Sequence, residues 1–418
     1  MRKNGGLWPF GAGGRNVASR KRRCGAEGEL FTFGNDLLHG PKHCHGEDTV
    51  LEVTDDIAGE TYCILGMPLD VIEMSAVLRK IDTAAAENVA CVISTPNINF
   101  LINCRRDPQF RESVLASDLC PADGAPLVWI ARLVGIPIKH RVAGSDIFDA
   151  LRTRPSSGRP LSVFLFGSTD DVAAAAATKL NANSQALTCV GWLCPGFGTI
   201  EELSTDDLIE KINASKADFL VVALGAQKGQ LWLQRNHHRL SIPIRSHLGA
   251  VINFQAGAIK RAPPLLRKIG LEWLWRIKEE PHLWQRYFGD ALSLCYLLVT
   301  RLVPLALEVR LRQQHAGKDQ GLTTGTADNG NYVGLYLAGF AVARNVGKAL
   351  PGLRAAIAAQ KPVVIDFSQI RTIDARFFGL LLMLRKKLKA DGVALKFEGV
   401  SREIKRLFRL NGLEYLLS

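Results

Sequence analysis

Across residues 51–310 the sequence alternates short apolar runs with longer helix-like stretches, and no other feature limits the fold so strongly. The runs 89–94, 162–166, 187–191 and 218–224 are strand-like, and their rhythm predicts an α/β domain with a mainly parallel sheet. The intervening segments 170–180 and 205–212 begin with acidic residues, or with Thr followed by them, and so predict helix N-termini. The strand order is not readable at this level.

A chain of 418 residues with 47% hydrophobic content can bury more than one core, so two or three units are expected. Residues 1–50 are rich in Gly, Arg and His without periodicity, and the first 23 hold seven basic residues and no acidic one, the pattern of a disordered basic tail. The cluster His43-Cys44-His45 has no second ligand pair at finger-like spacing, so no metal site is expected. Residues 313–331 are polar and contain Gly317, Gly321, Gly325 and Gly330, which predicts an interdomain linker. The remaining 332–418 suffice for a small independent α/β domain, with strands at 363–367 and 393–397, an apolar helix at 377–388 and a last helix from Ser401.

Nine irregularly spaced cysteines suit reduced thiols rather than a disulfide framework, and no apolar segment of signal-peptide length follows Arg2 and Lys3. The nearest candidate for a spanning helix, 291–307, is interrupted by Arg301 and Pro304, so none is expected. A net charge of +12 calls for an anionic partner: nucleic acid, membrane surface or phosphorylated substrate. The segment 259–312 carries ten Lys or Arg against five Asp or Glu, together with Trp273, Trp275 and Trp284, a mixture that suits a helix resting on anionic lipid, a nucleic-acid surface or a buried helical hairpin. No nucleic-acid module accompanies the charge, and none is expected to bind.

Parallel sheets bind ligands beyond the carboxyl ends of their strands, so polar residues after apolar runs are the candidates. Thr95, Asn97 and Asn99 follow the run 89–94, either as turn formers or as ligands of a substrate. Asp123, in Ala122-Asp123-Gly124, is either a general base or part of an Asp-Gly turn. Arg141, Gly144 and Asp146, just after Lys139 and His140, make either a diphosphate site or a solvated charged turn. The loop from Gly225 through Gln227 and Gln230 either holds a nucleotide or reverses the chain. Dinucleotide and P-loop fingerprints are absent, and so is an Asp-x-Asp pair, leaving arginines to neutralise a diphosphate without metal or other cofactor.

Taken in order, Thr95-x-Asn97, Ala122-Asp123-Gly124, Arg141-Val142-x-Gly144-x-Asp146, Phe166-Gly167 and the late block Arg261-Ala262-Pro263, Gly270-Leu271-Glu272-Trp273, Arg276, Glu280-Pro281 and Arg286-Tyr287 resemble the WecG/TagA/CpsF glycosyltransferase family over residues 64–304. The resemblance implies a Rossmann-like domain at 51–258 and a membrane-associating appendage at 259–312. It implies an inverting, metal-independent transfer from a UDP-sugar donor to a polyprenyl-diphosphate-linked saccharide in bacterial exopolysaccharide or surface-polysaccharide synthesis, on the cytoplasmic face of the membrane. Asp123 would deprotonate the acceptor, Thr95 and Asn97 would hold donor sugar or acceptor, Arg141 would face the diphosphate, and Arg261, Arg276 and Arg286 would lie in the appendage that closes over the site. Where many members read Gly-x-Pro-Lys-Gln-Glu-x-Trp, this chain has Gln227, Gly229 and Gln230 in place of Pro, Gln and Glu. The two glutamines are expected to hydrogen-bond uracil or a sugar hydroxyl.

The tail resembles a STAS domain in Val363-Val364-Ile365-Asp366-Phe367, Thr372-Ile373-Asp374 and the final helix. Its loop reads Asp374-Ala375-Arg376-Phe377-Phe378-Gly379, without the usual phosphorylatable hydroxyl, which suits docking to a partner or self-association. A non-catalytic nucleotide-sugar sensor signalling through this domain is the alternative reading.

Overall fold

In the computed structural model, residues 57–155, 158–314 and 321–417 are described, and the basic tail 1–50 with His43-Cys44-His45 lies outside them. The first described strands, β1 (Thr61–Ile64) and β2 (Met67–Asp70), form an antiparallel hairpin turning at Leu65-Gly66. Next, β3 (Cys91–Ile93), β4 (Leu161–Gly167), β5 (Leu187–Leu193), β6 (Phe219–Ala223) and β7 (Ile244–His247) build one all-parallel sheet in the order β3-β7-β6-β4-β5. Val163 and Leu165 of β4 belong to one hydrophobic cluster, and Phe164 and Phe166 to another. Both faces of β4 are therefore covered, which is why it reads as an unbroken apolar run, whereas the edge strand β5 leaves Val190 and Trp192 exposed. The expected helices form at Asp170–Asn183 and Asp206–Ala214, each with two Asp in its first turn.

Strand β7 had no apolar signature because its centre is Arg245-Ser246. Both are buried, and the Arg245 guanidinium donates to the carbonyls of Ile242, His237 and Leu240 at 2.5–2.7 Å, which satisfies the charge-bearing group inside the fold. From β4 the chain passes to β5 on one side and then returns to β6 on the other. The connections thus diverge above β4 and β6, the place where an open α/β sheet leaves a crevice. Glycine keeps that edge tight: a Cβ on Gly167 would lie 2.5 Å from the Ala223 carbonyl oxygen.

Strands β8 (Leu322–Asp328), β9 (Val333–Ala341), β10 (Val363–Ile373) and β11 (Leu395–Glu398) form a second sheet, ordered β11-β10-β9-β8 and parallel except for β8–β9. The segment expected to be a linker, 313–331, therefore contains a strand. Its Gly- and Thr-rich sequence hides an edge strand that buries only Leu322 at the core and is held by pairing along its whole length to β9. Nor does this unit stand apart. Its core includes Ile57, Cys63 and Leu115 from the first part of the chain, and a Cβ on Gly379 would lie 2.0 Å from the Thr61 carbonyl oxygen. Arg376 donates to Thr61 O (3.1 Å) and Gly59 O (2.7 Å), Lys386 pairs with Asp118, Arg385 and Lys389 with Glu112, and Arg105 with Glu414.

Between the two sheets in sequence lies the appendage. After helices Pro264–Lys268 and Glu272–Glu279, one helical stretch of 32 residues runs from Pro281 to Arg312. Pro304 and Arg301 do not break it. Around Leu298–Leu302 the helix widens to a π-turn, which accommodates the missing proline N–H, and Arg301 reaches out to the Arg409 carbonyl and to Glu414. The chain thus does contain, contrary to the reading from its apolar runs, a helix long and apolar enough by length and composition to cross a membrane, and only 22% of its 18-residue apolar core segment is buried. Trp284, Phe288, Leu292, Tyr296, Val299, Val303, Leu307 and Leu311 form an exposed stripe at spacings of three or four, one face of a helix.

Candidate active site

Three segments converge beyond the carboxyl end of β3. Asp123 N donates to Pro96 O (2.7 Å), Val142 N to Ala122 O (2.8 Å) and Ser94 N to Leu119 O (2.9 Å), so the loops bearing Thr95, Asp123 and Arg141 are stitched together by backbone. Gly144 makes the approach possible. A Cβ there would lie 2.3 Å from Leu248 Cδ2 and 3.2 Å from Thr95 Oγ1, so any larger residue would push Thr95 and the helix Gly144–Thr153 apart.

Within this cluster the Asp123 carboxyl is enclosed. Burial pushes its pKa up to about 7, Arg141 pulls it down, Glu272 and Asp146 push it up, and the Gly144 backbone N–H favours the anion. Arg141 stands between two carboxylates, Glu272 at 2.9 Å and Asp146 at 3.3 Å. Arg261 donates to Asp146, Asp149 and, at 2.9 Å, Ser145 Oγ, while Arg267 lies 3.7 Å from Asp146. The appendage thereby brings Glu272, Arg261 and Arg267 onto the loops of the first sheet. A cleft of about 610 Å³, lined by Glu73, Met74, Lys139, His140 and Arg141 among others, runs beside the cluster.

Of the residues expected at the site, Thr95, Asp123, Arg141, Gly144, Asp146 and Arg261 come together. Asn97 adjoins them, but its side-chain oxygen accepts from Phe100 N (3.2 Å) and caps the helix Ile98–Arg106. Arg276 pairs with Glu280 on its own helix and faces the Phe254 ring, and Arg286 lies over Tyr287, so neither contacts this cluster. Gly225 begins the helix Ala226–Asn236 with φ 82°, at the crevice above β6. Of the two glutamines, Gln230 is turned into the fold, whereas Gln227 stays exposed and binds a neighbouring side chain. Gln227 Nε2 donates to Asp107 Oδ2 (3.0 Å), and the buried Gln230 donates to Ser113 O (3.0 Å). The side of the helix that each occupies decides this, and a loop pattern alone does not reveal the side.

No sequence pattern assigns a role to Glu272, although it stands in the late block, nor to Asp149, Arg267 or His247. Nothing in periodicity marks a partner 131 residues away, as Glu272 is from Arg141. Among the described residues no group of three or more His, Cys, Asp or Glu is placed to hold a metal ion.

Comparison with known proteins identifies the family. Residues 62–306 match the family model described as "Glycosyl transferase WecG/TagA/CpsF family", and residues 325–418 match the model described as "Mlab, STAS domain". Relatives named N-acetylglucosaminyldiphosphoundecaprenol N-acetyl-beta-D-mannosaminyltransferase include one from Bacillus spizizenii, 24% identical over 51% of this chain and 81% of its own length. Another, from Staphylococcus aureus, is 26% identical over 51% of this chain and 82% of its own. With more than half its length matched and the motif residues gathered at one sheet edge, the chain belongs to the WecG/TagA/CpsF family of glycosyl transferases and carries a C-terminal STAS domain.

Proposed function

We propose that this chain transfers a sugar, with inversion, from a UDP-sugar to a saccharide linked to polyprenyl diphosphate, in the assembly of a bacterial surface polysaccharide or exopolysaccharide. The observation that carries the reading is Asp123: a carboxyl with a pKa of about 7, enclosed beside Arg141 at the carboxyl edge of a parallel sheet. A base poised near neutral pH both binds and releases a proton readily. The relatives' printed names supply the acceptor class, a sugar diphosphoundecaprenol.

In the step itself, the acceptor hydroxyl oxygen attacks the anomeric carbon from the face opposite the diphosphate. A new C–O bond forms, the bond to UDP breaks with its electron pair leaving on the diphosphate, and the hydroxyl proton passes to the Asp123 carboxylate. Arg141 meets the charge that develops on the leaving group. In the present arrangement Glu272 occupies it, so the diphosphate takes the place of that carboxylate. Thr95 stands beside Gly144 and contributes to holding the sugar or acceptor.

The long helix supports a place at the inner membrane surface. Its inward face is held along the protein by Asp290–Asn99, Ser293–Arg106, Arg301–Glu414 and Arg312–Arg371 O, which leaves the apolar stripe on the outer side. A helix polar or packed on one side and apolar on the other lies in the interface rather than across the bilayer. UDP release by the purified protein, measured in vesicles with polyprenyl-diphosphate-linked acceptor across a panel of UDP-sugars, tests the reading. Turnover requiring both acceptor and donor is expected, and Asp123→Asn should lower kcat by about 10² to 10⁴. Equal release by the variant would remove Asp123 from the mechanism.

A further inference from the structure

The loop after β6 departs from the family pattern, and the space it leaves is filled. A Cβ on Gly229 would lie 2.1 Å from Cδ2 and 2.9 Å from Cγ of His247, so no side chain fits at 229 while the imidazole keeps its place. On the other flank, a Cβ on Gly249 would come within 3.2 Å of His247 Nε2. The ring is slotted between two glycine backbones. Its Nε2 is closed off from solvent and has no hydrogen-bond partner, which leaves a buried polar atom unsatisfied. Burial holds the ring's pKa down at about 4, so the imidazole is neutral near pH 7 and offers one N–H and one lone pair.

The position of His247, which is only partly buried as a residue, gives the imidazole a use. His247 ends β7 opposite Val222 of β6, and the next residue, Leu248, packs against Gly144. The imidazole therefore stands between the β4–β6 crevice and the Asp123 cluster. A nucleotide-linked sugar with its nucleotide at the crevice and its reacting carbon at Asp123 passes this point.

We propose that His247 is a specificity-determining residue whose imidazole hydrogen-bonds a polar ring substituent, hydroxyl or acylamino, of the sugar in a UDP-sugar donor, taking the polar role that the family pattern gives to a glutamine at position 229. This rests on the transferase reading above. The test uses the full chain in vesicles, with kcat/KM over a panel of UDP-sugars that differ in one ring substituent, and with the affinity for each UDP-sugar and for UDP alone read in parallel. His247→Ala and His247→Phe, the second of which fills the slot without a nitrogen, are each expected to lower kcat/KM for the preferred donor by about 10- to 100-fold. Affinity for UDP should stay unchanged, so preference among donors flattens. Gly229→Gln alone should lower the melting temperature, and pairing it with His247→Gly should restore the temperature and change which donor is preferred. Wild-type turnover with an unaltered donor profile in both His247 variants would overturn the proposal and leave the ring as filler. A wild type that binds UDP-sugars without turnover would sink the transferase reading alone, with His247 then judged by the ratio of UDP-sugar to UDP affinity. A wild type that neither binds nor turns over any UDP-sugar would overturn both.

Discussion

At the carboxyl end of β3 the chain leaves Thr95, Asp123 and Arg141 beside a cleft, whereas at the carboxyl end of β10 it drives the next helix, Ala375–Ala390, into the β1–β2 hairpin. Each edge presents an aspartate. The Asp374 oxygens are both spent, one on Phe377 N (2.9 Å) and one on Ala343 N (2.7 Å), and the following loop is covered where Arg376 and Gly379 meet Gly59 and Thr61. Asp123 has a single backbone donor and otherwise faces charged side chains that can exchange partners. On the proposed reading, the same sheet geometry serves chemistry in one region and docking in the other. What separates them is whether the polar groups at the strand ends already have partners within the chain. In the STAS unit they do, and the position where that domain usually carries a hydroxyl holds Ala375 against this covered surface.

The comparison breaks most severely if the covered edge is forced open. Gly379→Val places branched carbon against the Thr61 carbonyl, and a loss of about 3 kcal/mol or more is expected in chemical denaturation, since neither backbone can yield. A Gly379→Val chain as stable as wild type would mean that the two units merely touch.

A second test addresses the open edge through pH. If Asp123 works as carboxylate, kcat/KM should rise about tenfold per pH unit up to about 7 and then level off. Stability should move the opposite way. The carboxyl's pKa in the fold, about 7, lies above its ordinary 3.8, so the stability contributed by the neutral form is fully present below the ordinary value and is lost as pH rises through about 7. Glu272→Gln removes a like charge and should shift the acid limb of the rate profile to lower pH, by on the order of one unit. An unmoved limb would show that Glu272 does not face the base in the working enzyme.

The smallest effect concerns the outer face of the appendage. Val299→Ser removes one exposed apolar side chain from the stripe and should weaken vesicle binding by about 1 kcal/mol, roughly fivefold, without changing the melting temperature. Cosedimentation with anionic vesicles measures it, and unaltered binding would mean that the stripe does not meet lipid.

How far the sequence reveals these regions depends on which interactions write themselves locally. Strands β4 and β6 are legible because burial on both faces demands continuous apolar runs, and Thr95, Asp123 and Arg141 are legible because they sit just past apolar runs or beside a glycine. Strand β7 is hidden by Arg245, whose three carbonyl partners belong to one turn of chain that no pattern announces. Strand β8 is hidden because backbone pairing, rather than side-chain burial, holds it. Gln230 looks like a ligand for a nucleotide and is an internal amide, while Glu272 meets Arg141 only through the folding of the appendage. Side-chain direction and long-range pairing are set by packing, and a sequence read one segment at a time does not carry them.

The helix Pro281–Arg312 is fastened to the STAS unit at several points: Arg301 to the Arg409 carbonyl and Glu414, Arg312 to the Arg371 carbonyl, and Arg406 to Glu308. A rod pinned at several points cannot pivot. On the proposed membrane placement, with the outer stripe resting in a bilayer, the STAS unit would act as a strut that sets the height of Asp123 above the lipid headgroups, and a fixed height would be a ruler, favouring acceptors whose reactive hydroxyl stands at one distance from the diphosphate.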